Sequence, residues 1–146
     1  MNKDFQTEID NKYVSVRERE DGLKILTYTQ KCQYEEHWNY VTRKCRGLVV
    51  YEDFVIIDCI PKFFNVGQVG ASEVDLQNAQ ITEKNDGYLI QIKWDDEFGL
   101  IVTSKGSFDS PMAIKAKELI NESELKTNWT YFCELCCNFE GDEGTI

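Results

Sequence analysis

Histidine and proline are nearly missing from this chain, which has one histidine and two prolines in 146 residues. With His37 the only imidazole, zinc bound in the usual four-ligand Cys/His manner has almost nothing to draw on. Pro61, Pro111 and nine glycines are scattered, no segment is of low complexity, and no internal repeat is present, so nothing marks a boundary within a length typical of one domain. Long apolar runs are also lacking. The most apolar stretch, 54–60, has the length of a strand and falls far short of a membrane span. The opening residues Met1-Asn2-Lys3-Asp4-Phe5 have no apolar core of a secretory signal, so the cytoplasm is the expected location (the host's, for a viral source). Basic residues are in deficit. Sixteen Lys and Arg against 26 Asp and Glu give a net charge of −10, which argues against a general nucleic-acid coat. A local basic site within an acidic shell is still compatible with that sum.

Cysteine is the exception to this scarcity, at six residues: Cys32, Cys45, Cys59, Cys133, Cys136 and Cys137. In a reducing compartment these are expected as free, buried thiols. Cys133 and Cys136 form one C-x-x-C, but residues three apart on a strand point to opposite faces, which is poor chelating geometry.

Hydrophobic patterning predicts successive hairpins. Residues 13–19 and 23–29 flank Asp21-Gly22, a strong hairpin signal. Apolar, β-branched runs at 48–51 and 54–60 flank Glu52-Asp53, and 88–94 and 100–103 flank an acidic turn ending at Gly99. A short helix is expected at 34–42. A second is expected at 110–120, with Ser110 as cap, Pro111 in the first turn, and Ala113, Ala116, Leu119 and Ile120 on one face. Residues 129–137 return to strand. The fold class expected is α+β with antiparallel sheet.

Four clusters stand out at expected strand ends: Lys44-Cys45-Arg46-Gly47, Pro61-Lys62-Phe63-Phe64-Asn65, Glu83-Lys84-Asn85-Asp86-Gly87 and Ser104-Lys105-Gly106-Ser107. Each sets a cation beside a glycine or an aromatic. Taken singly, each has a plain reading as surface, turn or core. Repetition at several strand ends points to a common pocket, because strand-end loops converge. Arginine offers a planar fork to phosphate, lysine a point charge, and glycine a close approach of backbone. Phe63 or Phe64 stacking on a base would contribute about 1–3 kcal/mol.

Lys84-Asn85-Asp86-Gly87 matches the K-x-D-G signature of covalent nucleotidyltransferases, and the order around it resembles the T-even phage RNA ligases of the tRNA-repair type. In that family an Arg-Gly strand entry and a Lys-Phe-Phe-Asn precede the nucleophile. A Ser-Lys-Gly-Ser follows it, and then a strand bearing a glutamate. Here these are Arg46-Gly47, Lys62-Phe63-Phe64-Asn65, Lys84, Ser104-Lys105-Gly106-Ser107 and Glu134.

The resemblance implies an antiparallel-sheet ligase adenylation domain, in which 1–47 leads to the Arg-Gly pair and 48–146 holds the core. It implies that Lys84 takes AMP from ATP, passes it to an RNA 5′-phosphate, and lets an RNA 3′-hydroxyl displace it, with RNA ends (tRNA among them) as partners. Attack requires a neutral amine, and free lysine titrates near ~10.4. Arg46, Lys105 and partial burial would lower that value, Glu83 and Asp86 would raise it, and Mg²⁺ would offset phosphate charge. Asp86 belongs to the same catalytic motif. Arg46, Lys62 and Lys105 are implied as phosphate contacts. Gly47, Ser104 and Gly106 come as parts of their motifs, and Gly87 permits close approach of ATP. Glu134 is implied at the ribose or the metal, and Phe64 and Tyr28 in the nucleotide pocket.

The family continues into an E-G-x-V strand and a K-x-K strand that have no convincing counterpart here. Glu143-Gly144-Thr145-Ile146 follows Glu134 too closely to be the first, and Lys126 is the last lysine. The domain is therefore expected to be C-terminally incomplete, to bind ATP weakly, and to need a second chain or missing segment to seal RNA. Alternatives are a non-catalytic nucleotide- or RNA-binding remnant, a guanylyltransferase-like relative, and a plain scaffold with a chance motif.

Overall fold

The computed structural model describes residues 3–75 and 77–136; Cys137 and the 143–146 tetrapeptide lie outside the described residues. In chain order the elements are α1 (Lys3–Asp10), β1 (Val14–Glu18), β2 (Lys24–Tyr28), α2 (Gln30–Tyr34) and α3 (Tyr40–Lys44). They continue with β3 (Arg46–Tyr51), β4 (Phe54–Ile57), β5 (Tyr88–Asp95), β6 (Gly99–Ser104), α4 (Pro111–Leu119) and β7 (Thr130–Leu135). All described strand pairs are antiparallel, as expected, but they divide into two sheets ordered β1-β2-β3-β4 and β6-β5-β7.

Local chemistry explains most boundaries. The first hairpin turns where Gly22 takes φ +87° and the Arg19 guanidinium clasps both oxygens of Asp21. That clasp also holds the Asp21 carboxyl below the usual range. The single helix expected at 34–42 is instead two short ones. Thr29 caps α2, the chain reverses at Glu36 (φ +52°), and Asn39 opens α3 with a reciprocal capping box to Thr42. Ser110 caps α4 through the Ala113 amide, with Pro111 in the first turn. Ala113 and Ala116 are buried, but Leu119 is 45% exposed, because the helix stops there and Ile120 is already extended. The first helix, α1, was not foreseen; Phe5 and Ile9, one turn apart, pack it down.

Period-two alternation sorts the strands into layers. Leu26, Leu48 and Val50 face α1 and α3, in one cluster with Val41, Cys45 and Cys59. The intervening Ile25 and Val49 join Ile57 and Ile101, so the other face of the first sheet is covered by β6 of the second. Ile90, Ile92 and Val102 point outward onto Ala116 of α4. Helices, sheet, sheet and helix thus stack in four layers, each fully buried Leu or Ile contributing about 1.5–3 kcal/mol. Cys32, Cys45 and Cys59 are buried free thiols, and burial pushes the Cys45 thiol up to about 12. Cys133 and Cys136 are free but exposed, contrary to expectation. Among the described residues no helix is long and apolar enough to cross a membrane.

A polar seam joins the two sheets. Gln91, fully buried on β5, donates from Nε2 to the Gly47 carbonyl of β3 at 2.7 Å and to Thr103 Oγ1 of β6 at 3.0 Å. Lys93, two residues along, donates to the Ile56 carbonyl of β4 at 2.9 Å. Replacing Gln91 with Leu strands the Gly47 carbonyl in the interior. The expected loss is about 1–3 kcal/mol of stability, read as a lower denaturant midpoint.

Candidate functional site

Register brings the chemistry-bearing residues to one rim. Ile90 pairs with Ser104 and Leu89 with Glu134, so the entry to β5, the exit of β6 and the end of β7 lie side by side. Lys84 is just before that entry, Lys105 just past that exit, and Glu134 near that end. In the other sheet Thr27 pairs with Arg46, which places Tyr28 and Arg46 together at the end of β2 and the start of β3. Gly47 joins the two groups. An added Cβ there would stand 2.7 Å from Gln91 Nε2 and 3.0 Å from the Lys105 carbonyl, and its φ of +99° suits only glycine. Gly106 completes the contact, since a Cβ on it would meet Thr27 Cγ2 at 2.9 Å.

On this rim the cations rest on aromatic rings. Lys105 Nζ is 4.0 Å from the Tyr28 ring centroid, Lys62 Nζ is 4.6 Å from that of Phe64, and the Arg46 guanidinium is 5.1 Å from that of Phe63. Trp38 connects them: its ring is edge-on to Tyr28 at 5.0 Å and to Phe64 at 5.6 Å, with Lys62 Nζ at 5.7 Å. Arg43 adds a second cation near Phe64, at 5.6 Å. Among the described residues none of Arg43, Arg46, Lys62 and Lys105 forms a salt bridge. Each ring contact contributes about 0.5–1 kcal/mol at such exposed sites. The rings hold the cations without cancelling their charge, which leaves a positive patch suited to a polyanion carrying a planar ring.

The remaining expected residues are placed as follows. Glu83, Lys84 and Asp86 lie exposed in the extended approach to β5 and make no hydrogen bond or salt bridge with a described residue. Gly87 is required by the protein's own backbone, because a Cβ there would lie 2.6 Å from the Leu135 carbonyl of β7. Ser104 is buried, with its hydroxyl in the turn and cap of α4, donating to the Ser107 carbonyl at 3.4 Å and accepting from Ser110 Oγ at 2.8 Å. Glu134 is exposed on β7. No group of three or more His, Cys, Asp or Glu side chains that could hold a metal ion occurs among the described residues. Sequence reasoning missed Trp38 and Arg43. Trp38 stands between helices in a stretch expected to be one helix, and Arg43 read as an ordinary surface cation. A cavity of about 760 Å³ between Arg17, Phe108 and Lys117 contains none of the expected residues.

Gly87→Ala is expected to lever β7 off β5 at Leu135 and to lower stability by about 1–3 kcal/mol. Chemical denaturation would show this, and an unchanged midpoint would mean that β7 yields freely.

The sequence model of the family described as RNA ligase matches residues 44–142. No curated protein matches the chain. That match runs from the residue before Cys45-Arg46-Gly47, through the Lys84 segment, to beyond β7, more than half of the whole, and the chain belongs to the RNA ligase family.

Proposed function

We propose that this protein joins RNA ends by way of a lysyl-AMP on Lys84. The observation that carries the reading is the set of cations Arg46, Lys62 and Lys105, without a carboxylate partner among the described residues, around the aromatic row Tyr28–Trp38–Phe64 in a chain of net charge −10. A nucleoside triphosphate has the complementary form: a planar base for the rings and a polyanionic tail for the cations. The position of Lys84 at the same rim, one short segment before β5, supports its role as the group that acts on that tail.

In the first step Lys84 Nζ, as the free amine, attacks the α-phosphorus of ATP. A P–N bond forms as the P–O bond to pyrophosphate breaks, and the amine nitrogen gives up a proton. An RNA 5′-phosphate oxygen then attacks the same phosphorus. The P–N bond breaks, Lys84 recovers its proton, and a 5′–5′ pyrophosphate linkage results. Finally an RNA 3′-hydroxyl attacks the 5′-phosphate, releasing AMP and leaving a phosphodiester. Arg46, Lys62 and Lys105 bear the phosphate charge, which they do best in positions fixed beforehand. Asp86 belongs to the motif that presents Lys84, and Glu134 accepts from ribose hydroxyls. The described side chains make no metal cage of their own. Mg²⁺ bound with the triphosphate would offset its charge, and Glu134 would be a candidate carboxylate for it.

Incubation with α-labelled ATP and Mg²⁺ is expected to label the protein through an acid-labile bond. Lys84→Ala should abolish the label while keeping nucleotide affinity within a few-fold. ATP binding without labelling of the wild type would overturn the catalytic reading in favour of a non-catalytic binding module, a reading that the exposed Lys84 side chain, with no ion pair among the described residues, favours. Label from GTP in preference to ATP would point to guanylyl transfer.

A further inference from the structure

Phe64 is a partition between two cavities. On one side a space of about 370 Å³ is lined by Trp38, Lys62, Gln33 and Gln68. On the other a space of about 460 Å³ is lined by Arg43, Phe63 and Gly70, with Glu73 and Asp75 among its further walls. Lys62 attends the ring at 4.6 Å and Arg43 at 5.6 Å. The Gly70 turn, at φ +87°, closes on the ring so tightly that a Cβ would meet it at 3.1 Å. The first cavity is part of the nucleotide site proposed above. The second has been given no role.

Its own chemistry is distinctive. Phe63 is 59% exposed, with the Arg46 guanidinium 5.1 Å from its ring centroid. Arg43 is anchored by reciprocal bonds: its Nε donates to the Lys62 carbonyl at 3.3 Å, and the Lys62 amide donates to the Arg43 carbonyl at 2.8 Å. Neither terminal guanidinium nitrogen makes a hydrogen bond to a described residue, and no described carboxylate pairs with the group. Further along the cleft Asp75 accepts from the Asn78 side chain and the Gln77 amide, which hold its carboxyl below the usual range. The cleft thus brings together an aromatic ring, a guanidinium that pairs with no carboxylate among the described residues, and the carboxyl groups of Glu73 and Asp75.

Such a cleft offers a stacking face for one base and a fork for one phosphate. The carboxylates oppose a second phosphate, so a strand running through is disfavoured and a strand terminus is admitted. We infer that Arg43 and Phe63 form a subsite for the 5′-phosphorylated terminal nucleotide of an RNA strand, with Phe64 lining both it and the nucleotide site. The inference rests on the ligase reading, and it supplies what that reading requires: a place for the acceptor phosphate beside the nucleotide site.

The test is fluorescence anisotropy of a 3′-labelled oligoribonucleotide, carrying a 5′-phosphate or a 5′-hydroxyl, titrated with the full chain without ATP. The wild type is expected to favour the phosphorylated strand by about tenfold, and Arg43→Ala to erase that preference and reduce the salt slope by about one. Phe63→Ala should weaken both strands by about fivefold or more. Arg43→Gln, judged by its circular dichroism, serves if the alanine variant misfolds. Equal affinity of the wild type for both strands, or equal loss of both on removing Arg43, overturns the inference. The two readings fail separately. A preference for the phosphorylated strand without any Lys84 adduct sinks ligation alone, and an adduct without that preference sinks the subsite alone.

Discussion

The site depends on the place where β3 crosses the second sheet at Gly47. No side chain fits there, because the space a Cβ would fill is shared by the Gln91 amide and the Lys105 carbonyl. That approach lets one buried glutamine bond to both sheets, to Gly47 of the first and Thr103 of the second. It also sets the residue before Gly47 and the turn after β6 on a common rim, so that Arg46 and Lys105 become neighbours although many residues separate them in the chain. The Gln91 Nε2 bonds fix register as well as contributing stability, while its Oε1 is buried without a hydrogen-bond partner among the described residues. Gly106 against Thr27 and Gly87 against Leu135 repeat the device, and at all three sites backbone or side chain of the protein occupies the room the glycine leaves.

From that geometry follows the electrostatic character of the rim. A cation paired with a carboxylate is neutralised, whereas a cation resting on an aromatic face keeps its charge and is still held in place. In a chain with ten more acidic than basic side chains, most cations would be expected to find carboxylates, and Lys24, Lys44, Lys93 and Lys115 do so. Arg43, Arg46, Lys62 and Lys105 have rings instead. The acidic remainder of the surface repels stray polyanions, so the field is concentrated where the rings are.

Much of the architecture was legible because it is local. Asp21-Gly22 defined the first hairpin, and Ser110-Pro111 defined the start of α4, through turn and cap chemistry written in adjacent residues. The division of 34–42 was also written locally, in the Asn39–Thr42 capping box, but the apolar pattern across it concealed the break. Motif residues were legible as motifs only. Arg46, Lys62 and Lys105 were singled out by the company they keep in sequence. Trp38 and Arg43 belong to no such cluster, and their importance arises from rings and carbonyls contributed by residues distant in the chain.

By itself the sequence determined the alternation of strands, the helix caps, the acidic balance and the ordered set of short motifs, since each rests on neighbours within a few residues. The tertiary structure alone decided that the strands form two sheets joined through Gln91, because a glutamine's partner across a layer leaves no mark in its own surroundings. It alone decided which cations would rest on rings, and that Phe64 would line two clefts. Those are matters of which surfaces meet when the layers close, and only the packed chain brings them together.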